Sequence, residues 1–194
     1  MYSVVILSGG KSSRMGTDKR LLLWHGSPLL KRLIDGFPEC DDRMLSVCTV
    51  LENDPSEIRC VADIYPGSGP LAGIHAALAA MRHEILFVTS CDAPLVDART
   101  AEAMFPYLAG YDAVVPRSED GREHPLIALY RKHTEKEAEE RLKRGERRMT
   151  AFAAALNTFY VPCEVLPYGE LTVANLNTPS DIIQLEEQIE RLQI

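Results

Sequence analysis

The chain turns abruptly from apolar to polar in the stretch Val4-Val5-Ile6-Leu7-Ser8-Gly9-Gly10-Lys11-Ser12-Ser13-Arg14-Met15-Gly16-Thr17-Asp18-Lys19. Its first four residues form an apolar run that is typical of a buried strand. The two glycines that follow let backbone N–H groups approach an anion closely, and Arg14 and Lys19 can supply positive charge. This pattern predicts a strand followed by a phosphate-binding loop. An ordinary strand-to-helix turn is the alternative, since glycines and small polar residues are also common there.

A second alternative for this stretch is the Walker A loop, G-x-x-x-x-G-K-[ST], which binds phosphates in P-loop NTPases. Gly10-Lys11-Ser12 matches the last three positions of that motif. Its first glycine would have to stand at position 5, where the chain has Val5 inside the apolar run. The sequence therefore excludes a P-loop, and the phosphate-binding prediction depends on Arg14 and Lys19.

The composition is that of an ordinary globular protein. Of the 194 residues, 46% are hydrophobic and 25% are charged, so we expect a single domain over residues 1–194. The formal net charge of −7 argues against a general nucleic-acid surface, because a duplex binder needs clustered cations. A phosphate site must then be local or assisted by a metal ion.

No apolar run is long enough to cross a membrane, and the short N-terminal run does not have the form of a signal peptide. We therefore expect a cytoplasmic protein without a membrane partner. We also expect no nucleic-acid partner, and we expect a monomer, although no pattern in the sequence determines the oligomeric state. The cysteines have no C-x-x-C pair and no zinc-ligand spacing. We expect buried thiols at all five positions, which are Cys40, Cys48, Cys60, Cys91 and Cys163.

Short apolar runs alternate with amphipathic stretches along most of the chain, which is typical of βα units on a mainly parallel sheet. The pattern predicts strands at residues 4–7, 45–50, 60–63, 85–89 and 113–115. It predicts helices at residues 28–37, 71–81, 100–108, 134–143, 150–156 and from 179 to 194, the first of them capped by Ser27. A further strand at residues 126–130 is expected to pair antiparallel beside the parallel set. The predicted fold class is α/β.

Ligands of an open α/β sheet bind beyond the carboxyl ends of its strands. Polar motifs follow three of the predicted strands, at residues 8–10, 63–73 and 91–94. Asp92 follows the most apolar strand, and a carboxylate there suits Mg²⁺, which takes one or two carboxylates with water and phosphate oxygens. A cap on the following turn is the alternative for Asp92. Cys91 has no neighbouring histidine, which favours a buried thiol over a nucleophile.

The segment 63–73 contains too many turn-forming residues to be a plain connector. Gly67 and Gly69 do not belong to a dinucleotide-binding motif, because Pro70 follows them and the third glycine, Gly73, comes one residue late. We expect this segment to form a flat wall for a base or ribose, contacted through its backbone.

Several motifs occur in order along the chain: Leu7-Ser8-Gly9-Gly10, Arg14-Met15-Gly16 with Asp18-Lys19, Gly69-Pro70-Leu71-Ala72-Gly73, Cys91-Asp92-Ala93-Pro94, His124-Pro125, Gly145-Glu146-Arg147-Arg148 and Asn175-Leu176-Asn177-Thr178-Pro179. Together they resemble the molybdenum cofactor guanylyltransferases, the MobA family of nucleotidyltransferases. The last three motifs point to this family, whereas the first and the Asp-Xaa-Pro element are common to its superfamily. The resemblance implies a three-layer αβα, Rossmann-like nucleotidyltransferase fold, with a mainly parallel sheet and an antiparallel addition.

The resemblance also implies which residues bind the substrates. Those assigned to the nucleotide are Leu7, Ser8, Gly9, Gly10, Lys19, Asp63, Gly69, Pro70, Leu71 and Asp92. The catalytic residues would be Arg14, Lys19 and Asp92, with Asp92 holding Mg²⁺. The acceptor would meet His124, Arg147, Arg148, Asn175 and Asn177. As alternatives, the two arginines are a solvated helix end, His124 is structural, and Asn177 belongs to a helix entry.

The chain departs from the family at three places. Ser8 stands where alanine is usual, and the spacing from Met15 to Asp18 is one residue shorter than in some relatives. Cys48 stands where several relatives carry a nucleotide-binding asparagine, so that contact and its base specificity are not carried over.

The implied reaction is transfer of GMP from GTP to molybdopterin or its molybdenum-loaded form, with Mg²⁺ as cofactor and pyrophosphate as the second product. In-line attack by the acceptor's phosphate on the α-phosphorus needs no protein nucleophile, so holding the two polyanions together is the larger task. Transient contacts with cofactor-biosynthesis proteins or recipient molybdoenzymes are also implied. The alternatives are a CTP-dependent molybdopterin cytidylyltransferase, a nucleotidyltransferase for another small phosphorylated acceptor, and a non-catalytic nucleotide-binding regulator.

Overall fold

The computed structural model describes residues 1–8, 23–47, 58–176 and 178–192. Its α-helices are α1 (Leu29–Asp35), α2 (Pro70–Ala80), α3 (Ala98–Met104), α4 (Glu135–Lys143), α5 (Met149–Ala155) and α6 (Pro179–Leu192). Its strands are β1 (Ser3–Leu7), β2 (Leu23–Trp24), β3 (Ser27–Pro28), β4 (Arg43–Val47), β5 (Arg59–Ala62), β6 (Ile85–Ser90), β7 (Ala113–Arg117), β8 (Ala128–Arg131) and β9 (Thr158–Pro162). Several sequence predictions lie outside the described residues: those on Gly9, Gly10, Lys11, Arg14, Lys19, Cys48 and Asn177.

Seven of these strands form one sheet in the order β5-β4-β1-β6-β8-β7-β9. The first four are parallel neighbours, and β9 runs parallel to β7. The strand β8 runs antiparallel to both of its neighbours, with Leu129 opposite Phe87 of β6 and Val114 of β7. The expected antiparallel strand is therefore confirmed, two residues further along than its predicted start. Because only β8 is reversed, β6 and β7 end at the same edge of the sheet.

The sheet is buried on both faces, which explains why β1 is a continuous apolar run. Val4 and Ile6 pack in a cluster with residues of α1 and α3 on one face. Val5 and Leu7 pack on the other face in a cluster with residues of α2, α4 and α5. These two layers of helices around the sheet confirm the three-layer αβα architecture.

A third apolar cluster lies beside the main sheet. It contains Trp24, Leu29, Leu95, Leu176 and Leu185, so it joins the hairpin of β2 and β3 to α6. None of the helices in the described ranges is long and apolar enough to cross a membrane.

The first helix begins differently from the prediction. Ser27 is not its cap, because Ser27 pairs with Trp24 in the hairpin of β2 and β3. Pro28 occupies the N-cap position of α1 without a side-chain hydrogen bond. The hairpin turns at His25 and Gly26, both with positive φ, which is the geometry that two-residue hairpin loops favour.

The cysteine prediction holds for most of the described positions. Cys40, Cys91 and Cys163 are buried, and Cys60 is half-buried. Cys91 packs in the apolar cluster beneath α1 and α3, as a core thiol does.

Candidate active site

Three of the predicted site residues lie at the edge where β1, β4, β5 and β6 end. Because these four strands are parallel, the residues that follow them meet at this edge. Ser8 follows β1, Asp63 follows β5, and Asp92 comes two residues after the end of β6. The convergence predicted from the order of the motifs is therefore present among these three positions.

Ser46 on β4 joins two of the predicted nucleotide-binding residues. Its carbonyl accepts hydrogen bonds from the Ser8 backbone N–H at 3.3 Å and from the Ser8 hydroxyl at 2.6 Å. The Ser46 hydroxyl donates to Asp63 Oδ1 at 3.5 Å. Burial raises the pKa of Asp63, and the Ser46 hydroxyl offsets this only in part. The Ser8 N–H is therefore used within the sheet edge, bonded to the carbonyl of Ser46.

The start of α2 follows soon after Asp63 in the chain and forms the next part of the site. Gly69 precedes the helix with φ near +74°, a conformation that side chains rarely adopt, and Pro70 occupies the first turn. The Leu71 side chain is fully buried in the core, so only its backbone can serve the predicted nucleotide contact. Further along the helix, a Cβ on Gly73 would overlap the Ser46 hydroxyl. A larger residue here would force Ser46 and Leu7 to move, so Gly73 allows α2 to lie close to β4.

Asp92 is half-buried at the end of β6 and is held on two sides. Its Oδ1 accepts a hydrogen bond of 2.6 Å from the Ser90 hydroxyl. Its carbonyl accepts another, of 2.8 Å, from the Leu176 N–H. The described residues contain no group of three or more His, Cys, Asp or Glu side chains that could share a metal ion. Among the described residues, Asp92 is the carboxylate placed to hold a metal at the end of β6.

A cavity of about 560 Å³ lies beyond the end of β7, so β6 separates it from the strands that precede Ser8 and Asp63. Its lining consists of Ser118, Glu119, Asp120, Arg122, His124, Glu170, Val173 and Ala174. His124 Nε2 lies 2.8 Å from the Ser118 hydroxyl, and that hydroxyl donates to Glu170 Oε2 at 2.6 Å. Burial lowers the pKa of His124, and the nearby Arg122 guanidinium lowers it further. His124, predicted to meet the acceptor, thus forms part of a cavity wall.

The two arginines predicted to meet the acceptor lie elsewhere. Arg147 Nη1 donates a 3.1 Å hydrogen bond to the carbonyl of Gly67, in the loop before α2. Arg148 is exposed and stands at the N-cap of α5. Asn175 is exposed beside Leu176, whose N–H binds Asp92. Arg147 therefore contacts the segment expected to form the nucleoside wall, on the opposite side of Asp92 from the cavity.

Two further contacts support that same loop. The Tyr65 hydroxyl donates to Glu139 of α4 at 3.2 Å, and its ring meets the edge of the buried His75 ring at 5.4 Å between centroids. Together with Arg147, these contacts fix the loop 63–69 against α2 and α4.

Comparison with known proteins identifies the family of the chain. The family model of the MobA-like NTP transferase domain matches residues 4–158. The chain belongs to this family. This MobA-like chain is 33% identical over 199 residues to the "Probable molybdenum cofactor guanylyltransferase" of Bacillus subtilis, an alignment covering 97% of this chain and 96% of the relative. It is 36% identical over 181 residues to the "Molybdenum cofactor guanylyltransferase" of Ectopseudomonas mendocina, covering 91% of this chain and 88% of the relative.

Solved structures extend the comparison to the fold. This MobA-like chain superimposes on the molybdopterin-guanine dinucleotide biosynthesis protein A of Archaeoglobus fulgidus with a TM-score of 0.80 and 26% identity, covering 98% of this chain and 100% of the other. The 2-C-methyl-D-erythritol 4-phosphate cytidylyltransferase of Thermus thermophilus superimposes with a TM-score of 0.70 at 17% identity, covering 97% of this chain and 98% of the other. The nucleotidyltransferase fold is thus confirmed, and the chain is a nucleotidyltransferase.

The sequence motifs missed several residues of this MobA-like site: Ser46, Ser90, Ser118 and Glu170. Ser90 was detectable, since it lies two residues before Asp92 and can bond to its side chain locally. Ser118 and Glu170 meet across 52 residues, and no local spacing in the sequence indicates such a pair.

Proposed function

We propose that this MobA-like nucleotidyltransferase transfers GMP from GTP to the terminal phosphate of molybdopterin or its molybdenum-loaded form. The observation that carries the proposal is the position of Asp92 between two different surfaces. The loop and helix start near Ser8, Asp63 and Gly69 lie on one side, and the cavity beside His124 lies on the other. A transferase needs such a two-sided site, because a donor and an acceptor must be held in line. The relatives are named molybdenum cofactor guanylyltransferases and a molybdopterin-guanine dinucleotide biosynthesis protein, which supports the identity of both substrates.

In this reaction an oxygen of the acceptor phosphate attacks the α-phosphorus of GTP. A P–O bond to the acceptor forms, the bond between the α- and β-phosphates breaks, and pyrophosphate leaves with the electron pair. No covalent intermediate on the protein is required, so the protein's contribution is positioning and charge. Arg14 and Lys19, outside the described residues, are proposed to contact the leaving phosphates.

Mg²⁺ is part of the proposal. The donor chemistry fits, because Mg²⁺ is commonly held by one or two carboxylates with phosphate oxygens and water, and Asp92 offers a carboxylate at the strand end. When bound, the ion would neutralise charge on the phosphates. The Ser90 hydroxyl donates to Asp92 Oδ1 and so orients that carboxylate. We also propose that the protein is cytoplasmic, as expected from the sequence.

The direct test is to incubate the purified chain with GTP, Mg²⁺ and molybdopterin and to identify the product by mass spectrometry. We expect a guanine dinucleotide and stoichiometric pyrophosphate, with both abolished in Asp92→Asn. A matched control is Asp35→Asn, which removes an exposed carboxylate that pairs with Lys31 on α1.

Three results would contradict the proposal. Product formed from CTP and not from GTP would make the chain a cytidylyltransferase. Transfer of GMP to a different phosphorylated acceptor would overturn the identity of the acceptor. Absence of pyrophosphate release with every nucleotide would make the chain a nucleotide-binding regulator.

A further inference from the structure

We propose that the cavity beyond β7 binds the 2-amino-4-oxopyrimidine edge of the acceptor's pterin, and that the Glu170 carboxylate recognises that edge. The inference rests on the proposed function, since it assumes that the acceptor carries a pterin. It adds an orientation to that function, with the ring in the cavity and the phosphate outside it near Asp92.

The size and lining of the cavity suit a flat heterocycle. Its volume of about 560 Å³ lies within the range of small-molecule sites. Val173, which is buried, and Ala174 supply apolar surface for a ring face. Ser118, His124 and Glu170 supply polar groups for a ring edge. The lining is mostly polar with one apolar patch, a combination that can orient a ligand with an apolar face and a polar edge.

The polar groups of the cavity are already fixed in position. Glu170 Oε1 accepts the Glu119 backbone N–H at 2.9 Å, and Oε2 accepts the Ser118 hydroxyl at 2.6 Å. Because Ser118 donates its proton to Glu170, His124 must donate its Nε2–H to the Ser118 oxygen. A carboxylate has about four lone-pair positions, so each oxygen of Glu170 can accept one more hydrogen bond.

The charge of the lining selects which end of the acceptor can enter. Glu119, Asp120 and Glu170 contribute three carboxylates, and the cationic group in the lining is Arg122. A phosphate in this cavity would meet net negative charge and be repelled. The 2-amino group and the ring N–H of a pterin are two adjacent donors, which match the two oxygens of a carboxylate.

The position of the cavity connects it to the reacting centre. Val173 and Ala174 line it, and two residues later the Leu176 N–H binds the carbonyl of Asp92. A ligand whose ring rests on this wall can therefore extend its phosphate along the segment 174–176 towards the strand end. This gives the orientation that an in-line transfer needs.

The guanine base of GTP carries the same donor edge, so it is a second source of this chemistry. The residues assigned to the nucleotide, Ser8 and Asp63, lie on the opposite side of Asp92. We therefore assign the cavity to the acceptor, and the experiment separates the two sources.

The probe is 6-hydroxymethylpterin, which is fluorescent and carries no phosphate, titrated into the full chain without nucleotide. We expect saturable binding, weakened about tenfold in Glu170→Gln, the equivalent of about 1.4 kcal/mol, because an amide replaces one acceptor oxygen with a donor. Ser118→Ala should weaken binding by a smaller factor. Glu164→Gln, which changes an exposed carboxylate in the neighbouring turn, should bind as the wild type does.

Competition with GMP distinguishes the two sources. We expect GMP to bind without displacing the pterin, and its affinity to be the same in Glu170→Gln. Competitive displacement by GMP would assign the cavity to the guanine base and overturn the proposal. Equal pterin binding by wild type and Glu170→Gln, or no pterin binding at all, would also overturn it.

The inference and the proposed function can fail separately. If the wild type makes no dinucleotide but binds pterin through Glu170, the function is wrong and the site stands. If the dinucleotide is made but Glu170→Gln leaves the KM for molybdopterin unchanged, the site is wrong and the function stands.

Discussion

The backbone N–H of Leu176 donates a 2.8 Å hydrogen bond to the carbonyl of Asp92. This bond ties the segment behind the cavity to the end of β6, although 84 residues separate the two in sequence. Leu176 is also buried in the third apolar cluster with Trp24 and Leu185. The wall of the cavity and the carboxylate at the strand end therefore have a fixed relative position. Small changes at either place are expected to alter the alignment of the two substrates.

Ser90→Ala tests how Asp92 is oriented. The Ser90 hydroxyl donates to Asp92 Oδ1 at 2.6 Å, and groups that orient a metal ligand typically contribute about 10–100-fold to metal affinity. We expect the Mg²⁺ concentration for half-maximal pyrophosphate release to rise by roughly tenfold, with the fold retained. An unchanged Mg²⁺ dependence would show that Asp92 is oriented without Ser90.

Arg147→Ala tests which substrate this arginine serves. Its guanidinium binds the carbonyl of Gly67 at 3.1 Å, on the side expected to hold the nucleoside. Loss of one hydrogen bond of about 1 kcal/mol should raise the KM for GTP roughly fivefold and leave the KM for molybdopterin unchanged. Arg148→Ala, which removes an exposed neighbouring arginine, is the control. A rise in the KM for molybdopterin alone would instead support the acceptor role predicted from the sequence.

The sequence predicted those parts of the fold that follow from local patterns. The runs of β1 and β6 are continuous because both faces are covered, so they were visible as strands. The first cap was wrong because Ser27 takes part in a hairpin whose pairing with Trp24 competes with capping. The edge strand β9 was not predicted, since most of its residues are only half-buried and carry no clear alternation.

The sequence predicted the carboxylates of the site but not the residues that position them. Asp63 and Asp92 follow apolar runs, and the rule that ligands bind at carboxyl ends of strands places them at one edge. The partners that position them come from distant parts of the chain. Arg147 and Gly67 are 80 residues apart, and Ser118 and Glu170 are 52 apart. Such pairs depend on how the layers pack, which a local pattern does not contain.

Gly73→Ala tests the close packing of α2 on β4. A Cβ at this position would overlap the Ser46 hydroxyl and lie 3.1 Å from Leu7 Cδ2. We expect the free energy of unfolding to fall by about 1–3 kcal/mol, and the affinity for GTP to fall because Ser46 supports Ser8 and Asp63. The double variant with Ser46→Ala should recover part of the stability in urea denaturation. Strictly additive losses would show that the two residues do not interact.

Asp42→Ala tests the stability of the opposite edge of the sheet. The buried Asp42 carboxylate accepts hydrogen bonds from the Ser3 hydroxyl at 2.6 Å, from the Arg82 N–H at 2.8 Å and from Arg59. Burial alone would raise its pKa, but these donors hold it below the usual value. Asp42→Ala leaves the Ser3 hydroxyl and the Arg82 N–H without their acceptor, whereas the Arg59 side chain is partly exposed, so the free energy of unfolding should fall by about 1–3 kcal/mol.

The pH dependence of this contribution follows from the direction of the shift. Because the pKa is lower in the folded state, the stabilisation is present above the usual pKa of an aspartate and is lost as the pH falls through the folded-state pKa. Urea denaturation at pH 7 and at acidic pH should show the difference between wild type and Asp42→Ala shrinking at the lower pH. A difference that stays constant would contradict the assigned role of the ionised carboxylate.

His75→Leu tests a buried histidine whose pKa is also lowered in the folded protein, in this case by burial. Neither nitrogen of the His75 ring has a hydrogen-bond partner among the described residues, and Glu135 Oε1 lies 4.0 Å from Nε2. Burial lowers the pKa of His75 below its usual 6.5, and nearby Lys143 lowers it, although Glu135 and Glu139 act against the shift. Between the folded-state pKa and 6.5 the unfolded chain therefore binds more protons at this position than the folded protein does. Protonation of the unfolded chain then reduces the free energy of unfolding as the pH falls below 6.5.

The leucine variant removes this proton-binding difference while keeping an apolar side chain between α2 and α4. We expect the free energy of unfolding of wild type minus that of His75→Leu to decrease as the pH falls from about 7.5 to about 5.5. Urea denaturation at a series of pH values measures this difference directly, and the other histidines cancel because both proteins contain them. If the difference is the same at every pH, His75 has an ordinary pKa in the folded protein. A difference that increases at low pH would mean that the Glu135 carboxylate stabilises a charged His75 more than burial penalises it.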